Sequence, residues 1–307
     1  MAGSTSGVNV FTEASTGGTS LSASYLNGIF GDGSDGDAVI ATGSPVLISR
    51  DMMYNNLTVP NGATLTPRGF RIFVKGVLTI DSTGNINDNG KDAVGINPGL
   101  ALNIVSTGFG AASGAGASGR TTTGAGAASI TSSNCSINDL NQTPQGGVGG
   151  SAGGANTGGA AGAAPAPTIL QKWTSLASMW TARCYNASST FNGGSGGGAG
   201  GCDATGGLAT SGGGGGAAGI VWIAAKTIVN NGSITCNGGA GGNGVSALGV
   251  AGGGGGGAGG MIAVITATNT GIGLVSSNGG TPGTSVGTGA TQPTAAKVGN
   301  VGVIILS

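Results

Sequence analysis

Two uninterrupted runs of glycine, Gly212–Gly216 and Gly252–Gly257, constrain this chain more than any other feature. Glycine loses more backbone freedom on folding than any other residue, so each such run is costly to order. With 71 glycines among 307 residues, the chain places backbone where side chains would obstruct. Apolar strand-like segments alternate with the runs, which argues for an ordered structural protein and not for a free linker.

The charge pattern narrows the function classes. Ten basic and ten acidic residues leave no net charge, histidine is absent, and only 7% of the chain is charged. Soluble domains commonly carry roughly 25% charged residues. A neutral chain lacks the electrostatic footprint of a nucleic-acid binder and does not suit an anionic membrane surface. Beyond Asp203 only Lys226 and Lys297 are charged, a composition suited to assembled surface. The start, Met1-Ala-Gly-Ser-Thr-Ser6, reads as no secretory leader, and no apolar run is long enough to insert into a membrane.

Organisation follows from short β-rich runs. Residues 1–35 are polar and read as an attachment or trimerisation arm, with Tyr25-Leu-Asn-Gly-Ile-Phe30 as a mixed stretch. Residues 36–92 read as a β-rich core segment: Val46–Ser49, Leu57–Val59, Phe70–Val74 and Val77–Ile80 are separated by Asn-Gly, Pro and Asp-Ser-Thr-Gly turns. Residues 93–219 form a glycine- and alanine-rich excursion, and residues 220–307 alternate strands with glycine-rich loops. An internal repeat links these parts, since residues 71–90, 220–239 and 261–280 each run apolar strand, polar turn, short strand, Asn-Gly. The second and third copies are 41 residues apart, and Val301–Ser307 matches the opening strand again.

The expected fold is therefore mainly β, with short stacked strands in a solenoid- or sandwich-like body. Its long glycine-rich excursions are expected to pack as polyglycine-II helices of three residues per turn. Such helices make no internal hydrogen bonds and must find backbone partners on neighbours. One break interrupts the glycine: Thr168 and Gln171 form a capping box after Pro165 and Pro167, and Ile169, Trp173, Leu176 and Trp180 follow at helical spacing. A short helix over 168–185 follows, either docked on the body or presenting an aromatic contact surface. Trp173, Trp180, Tyr185 and Phe191 are the candidate receptor or partner contacts, because aromatics anchor interfaces and stack on sugar faces.

Catalytic and metal readings find little support. Without histidine no Ser-His-Asp or Cys-His arrangement can form. Cys135, Cys184, Cys202 and Cys236 follow no metal spacing and read as free thiols, with a Cys184–Cys202 disulfide as the alternative. Gly239–Gly244 satisfies a dinucleotide-type glycine pattern, but no acidic residue follows at the required distance. Asp32, Asp35 and Asp37 have calcium-loop composition with carboxylates at positions one, four and six, and read as a turn. Asp81 and Asp88 could face one groove but read as turn residues. No enzyme activity, cofactor or metal is expected.

The stretch Tyr25-Leu-Asn-Gly-Ile-Phe-Gly-Asp-Gly-Ser-Asp-Gly-Asp37, with Met53–Val59 and Gly69–Gly76, resembles the glycine-rich virion proteins of tailed bacteriophages. These are minor tail, tail-fibre and tip-adhesin proteins. The resemblance implies a virion component made in the host cytoplasm, assembled with itself as a homotrimer and with other virion proteins. It also implies contact with a host glycan or outer-membrane protein. A head fibre or capsid decoration protein is the alternative, and an ice-binding polyglycine-II protein a remote one.

Overall fold

A computed structural model describes residues 9–12, 28–100, 102, 110–111, 115–129, 145–153, 156–160, 191–192, 194–204 and 208–305. Among the described residues the protein is mainly β with almost no helix. Two sheets carry it. The first runs in the order Asn9–Thr12, Asn300–Ile305, Met261–Thr270, Ile220–Asn230, Arg71–Ile80, Leu57–Val59, Ala38–Val39, with Met52–Tyr54 beside the front half of Arg71–Ile80. The second runs Leu274–Ser276, Ser233–Thr235, Asn85–Asn87, Thr64–Thr66, Val46–Leu47. All pairings within both sheets are parallel.

The main core lies between the sheets. Ile72, Leu78, Ile223, Ile228 and Ile262 from the first meet Leu65, Ile86 and Ile234 from the second, all buried. Leu65, Ile86, Ile234 and Val275 hold one column because each pairs with the next in register. Residues 220–225 are buried at every position, so both faces of the sheet are covered there. On the second face Trp222, Ala224 and Ile265 pack with Phe30 and Phe73. The Phe73 and Trp222 rings lie 4.9 Å apart at 56°.

Three strands, Arg71–Ile80, Ile220–Asn230 and Met261–Thr270, are longer than the expected short runs, while the others stay short. Apart from Phe70, the runs Phe70–Val74 and Val77–Ile80 belong to one strand, Arg71–Ile80, which passes through Gly76. A Cβ at Gly76 would meet the Asn56 side chain, so glycine lets the strand continue past it. The offset between Arg71–Ile80 and its partner changes at this level, with a shift between Ala225 and Thr227.

The repeat also aligns differently in space. Residues 220 and 261 pair at a constant 41-residue offset from Ile220↔Met261 through Thr235↔Ser276. Against the first copy the partners are Trp222↔Arg71, then Ile228↔Leu78, then Ser233↔Asn85. The bulge and the longer turn after Ile80 absorb the drift, so no ungapped alignment of 71–90 with 220–239 is in register.

The glycine-rich segments are held mainly through backbone, with a few side-chain bonds such as that from the Gly253 amide to Ser285 Oγ. In residues 211–219 the amides of Gly212, Gly215 and Ala218 donate to the carbonyls of Gly252, Gly255 and Ala258 at 2.9–3.0 Å. Those of Gly213, Gly216 and Gly219 donate to Gly95, Lys91 and Asp88, and those of Ser211 and Gly214 to Arg120 and Ala117. Successive residues therefore address three different neighbours, and every third residue returns to the same one. A Cβ on Gly214 would run into the carbonyl oxygen of Gly197, which is why side chains are absent here.

Candidate contact surface

Each glycine-rich excursion leaves the sheets, turns, and comes back. Residues 236–244 run out and 252–260 return to the strand Met261–Thr270; residues 194–204 and 211–219 do the same before Ile220–Asn230. Their turns lie side by side. Cys202–Asp203 pairs antiparallel with Val250–Ala251, and Ala209–Thr210 with Val245–Ser246. Gly124 bridges Cys202, and Ala251 bridges Val286, which brings the turns near residues 121–124 and 286–290 alongside.

A small buried cluster supports these turns. Cys202, Ala209 and Ala251 form it, with Ala204 and Val286 at its margin. Only small side chains fit, because the backbones around them approach closely. The Cys202 thiol donates to the Ala209 carbonyl at 3.3 Å, and burial, followed by the neighbouring Asp203, pushes its pKa up. Ser246 closes its own turn by accepting from the Gly249 amide at 2.7 Å and donating to the Gly249 carbonyl at 2.6 Å. The Ala247 amide reaches the Leu208 carbonyl at 3.0 Å.

Above this cluster three aliphatic side chains stand in solvent. Leu208 is 85% exposed, Leu248 78% and Val245 62%. Thr121, Thr122 and Thr123 are exposed on the neighbouring turn, where Thr123 Oγ1 accepts from the Ala204 amide at 3.0 Å. Arg120 is tied to the Ala125 carbonyl beside them. The arrangement offers aliphatic, hydroxyl and backbone groups suited to surface contact. It provides no paired carboxylates or activated nucleophile, and no metal-binding group of acidic, Cys or His residues occurs among the described residues.

No family model, curated protein or solved structure matches this chain.

The candidates chosen from the sequence distribute as follows. Trp173, Trp180 and Tyr185 lie outside the described residues, as does the helix expected over 168–185. Phe191–Asn192 is a strand paired in parallel with Gly110–Ala111. Leu208, Val245 and Leu248 went unrecognised in the sequence, although lone large aliphatics inside glycine-rich segments are a readable signal. Cys202 and Cys236 are both buried free thiols.

The carboxylates have structural partners. Asp35 accepts from Arg50 and from the Met53 amide, and Asp37 from Asn55 and Asn56. Hydrogen bonds from Arg50 to Asp35 and from Asn55 to Asp37 hold both carboxyls below their usual range. Together they close the edge at which Ala38–Val39 lies. Asp81 sits in the turn over residues 81–84, its carbonyl accepting from Gly84.

Asp88 is no groove residue. It is 1% exposed, and its Oδ2 accepts from the Ile220 amide at 3.1 Å while Oδ1 has no hydrogen-bond partner. Burial pushes its pKa up to about 7, opposed mainly by the Ile220 hydrogen bond. The Cys236 thiol lies beside it, donating to the Gly219 carbonyl at 3.0 Å, and is itself pushed well above its usual pKa by burial.

Proposed function

We propose that this protein is a structural component of a bacteriophage virion, a tail-fibre or tail-tip component that contacts the host surface through the turns of its glycine-rich excursions. On this reading the parallel strands stack as a β-solenoid and the excursions pack as polyglycine-II helices. The three-residue recurrence of hydrogen-bond partners along 211–219 supports that packing, because a helix of three residues per turn directs successive amides to three neighbours. A body of this kind holds its outer turns in place, as a contact surface requires.

The observation that carries the host-contact reading is the exposure of Leu208, Val245 and Leu248 together on adjoining turns. Exposed apolar residues that cluster mark interaction sites, whereas single ones are ordinary surface. Arg120 and Asp203 bring charge to these turns, and the aliphatic side chains and hydroxyls beside them suit a contact made through shape and apolar surface. The virion reading itself rests on the resemblance of residues 25–37, 53–59 and 69–76. The partners it implies are further copies in a homotrimer, other virion proteins, and a host glycan or outer-membrane protein.

The test is cell binding by the purified full chain and by the double variant Leu208→Ser, Leu248→Ser. Both positions are exposed, so the melting temperature should stay within about 2 °C, as expected of surface changes under roughly 0.5 kcal/mol. Binding to host cells should fall at least about tenfold, corresponding to about 1.4 kcal/mol of contact energy. Equal binding by variant and parent would remove these turns from the contact. Attachment to particles with no cell binding by the parent would instead establish the head-fibre or decoration role.

A further inference from the structure

Asp88 stands where two of the glycine-rich excursions enter the strand stack. It directly follows the strand Asn85–Asn87, and its amide donates to the Thr235 carbonyl at 3.1 Å. Its carbonyl accepts from the Gly219 amide at 2.9 Å, and its Oδ2 from the next amide, that of Ile220, at 3.1 Å. Backbone and carboxyl of one residue thus hold the last residue of the run 211–219 and the first of the strand Ile220–Asn230. The Gly219 carbonyl in turn accepts from the Cys236 thiol at 3.0 Å and from the Met261 amide at 3.1 Å, where the run 252–260 becomes the strand Met261–Thr270. A Cβ on Gly219 would strike Asp88 Oδ2, so the carboxyl rests directly on the backbone it holds.

This carboxyl is poorly placed to carry a charge. It is buried, with one amide on Oδ2 and no hydrogen-bond partner on Oδ1, an environment that favours the neutral acid. The charged or titratable groups facing it are Arg68, Lys91 and Cys236. Burial outweighs the Ile220 and Gly69 amides and the cations Arg68 and Lys91, and it also keeps the Cys236 thiol neutral. The two sides of the junction resist opening unequally. The strands bury Ile72, Ile223 and Ile262 in the main core, whereas the run 211–219 is held mainly by backbone hydrogen bonds. A charge forced into the junction is relieved most readily by displacing the glycine run, the side with less apolar surface to expose.

We propose that Asp88 is a proton-operated latch on the glycine-rich excursions: protonated, it clamps Gly219 and Ile220; ionised, it releases them and loosens residues 211–220 while the cores of the strands stay folded. The release passes to the run 252–260 through the bond from the Met261 amide to the Gly219 carbonyl. Burial raises the folded pKa to about 7 from the ordinary 3.8, so the latch is closed below pH 7. Its stabilising contribution is full below about pH 4 and is lost as pH rises through 7. The excursion that ends at Gly219 also carries Leu208. A role for the latch in holding that contact turn rests on the function proposed above, but the latch itself does not.

The test is hydrogen exchange of the full chain, read residue by residue by NMR at pH 6 and pH 8 and corrected for the intrinsic pH dependence of exchange. Protection of the Gly212, Gly215, Gly219 and Ile220 amides should fall about tenfold, the factor implied by one pH unit above the midpoint. The Ile72 and Leu78 amides should keep theirs, and in Asp88→Asn the fall should vanish. Equal protection at the two pH values, the same fall in Asp88→Asn, or a fall shared by Ile72 and Leu78 would each overturn the proposal. Carbon-13 NMR of the Asp88 carboxyl in the parent chain gives a second readout that needs no variant. Its titration midpoint should coincide with that of the loss of protection, and a carboxyl already ionised at pH 6 would sink the latch. Cell binding by the Leu208→Ser, Leu248→Ser variant is read separately at one pH, so failure here and failure of the host-contact reading are distinguishable.

Discussion

At the scale of single residues, this protein combines side chains removed for close approach with a few polar groups fixed in its interior. Gly214→Ala places a methyl against the Gly197 carbonyl, and the backbones have no flexible side chain to move aside. Overpacking of this kind costs about 1–3 kcal/mol. Denaturant titration should show that loss, while Gly28→Ala, with nothing within 4 Å, should be near neutral. Asp88 supplies a pH dependence. Its folded pKa of about 7 is raised above the ordinary 3.8, so its burial is best tolerated when protonated. That stability is fully present below about pH 4 and is lost as pH rises through 7. Asp88→Asn retains an acceptor for the Ile220 amide and removes the charge. Its melting temperature should exceed the parent's at pH 8 and converge with it near pH 4, and parallel curves across that range would contradict the assignment. Lys91 and Arg68 oppose the shift only weakly compared with burial.

At the scale of elements, the recurring Asn-Gly has two distinct tasks. Asn89 Oδ1 accepts from the Asn237 amide, and Asn237 Oδ1 accepts from the Asn278 amide, each at 2.7 Å. The side chain thus joins one strand layer to the next at the corner where the chain leaves the second sheet. The glycine that follows lets backbones meet: a Cβ on Gly238 would strike the Gly257 carbonyl, and one on Gly90 the Gly216 carbonyl. Asn237→Ala removes the acceptor for the Asn278 amide and for Ser276 Oγ. A loss of about 1–2 kcal/mol is expected, read as a lower denaturation midpoint. The Asn-Gly signal and the 41-residue period were plain in the sequence. The register with residues 71–90 was not, because the bulge at Ala225/Thr227 and the longer turn after Ile80 leave no mark in an ungapped comparison.

At the scale of the whole molecule, sheets and glycine-rich excursions share one hydrogen-bond network. The Gly219 amide donates to Asp88, the Met261 amide to Gly219, and the Gly260 amide to Cys236. An excursion cannot open without disturbing the start of the strand it feeds. Hydrogen exchange should therefore protect the amides of Gly212, Gly215 and Ala218 to a degree comparable with those of Val221 and Ile223. Fast exchange of the glycine amides alone would show that the excursions open independently of the sheets.

What the sequence determined by itself was the β class, the alternation of strands with glycine-rich excursions, and the poverty of catalytic groups. These follow from local properties: strand patterning, turn chemistry and residue inventory. The aromatic contacts drawn from helical spacing lie outside the described residues, apart from the Phe191 backbone. Only the tertiary structure decided that Leu208, Val245 and Leu248 share adjoining turns, that Asp88 is buried, and that Asn9–Thr12 lies beside Asn300–Ile305. The physical reason is that a glycine run specifies its neighbours through backbone amides, which are the same at every residue. Which amide meets which carbonyl is settled by the strands that anchor each run and by the closeness glycine permits, and neither can be read from the run itself.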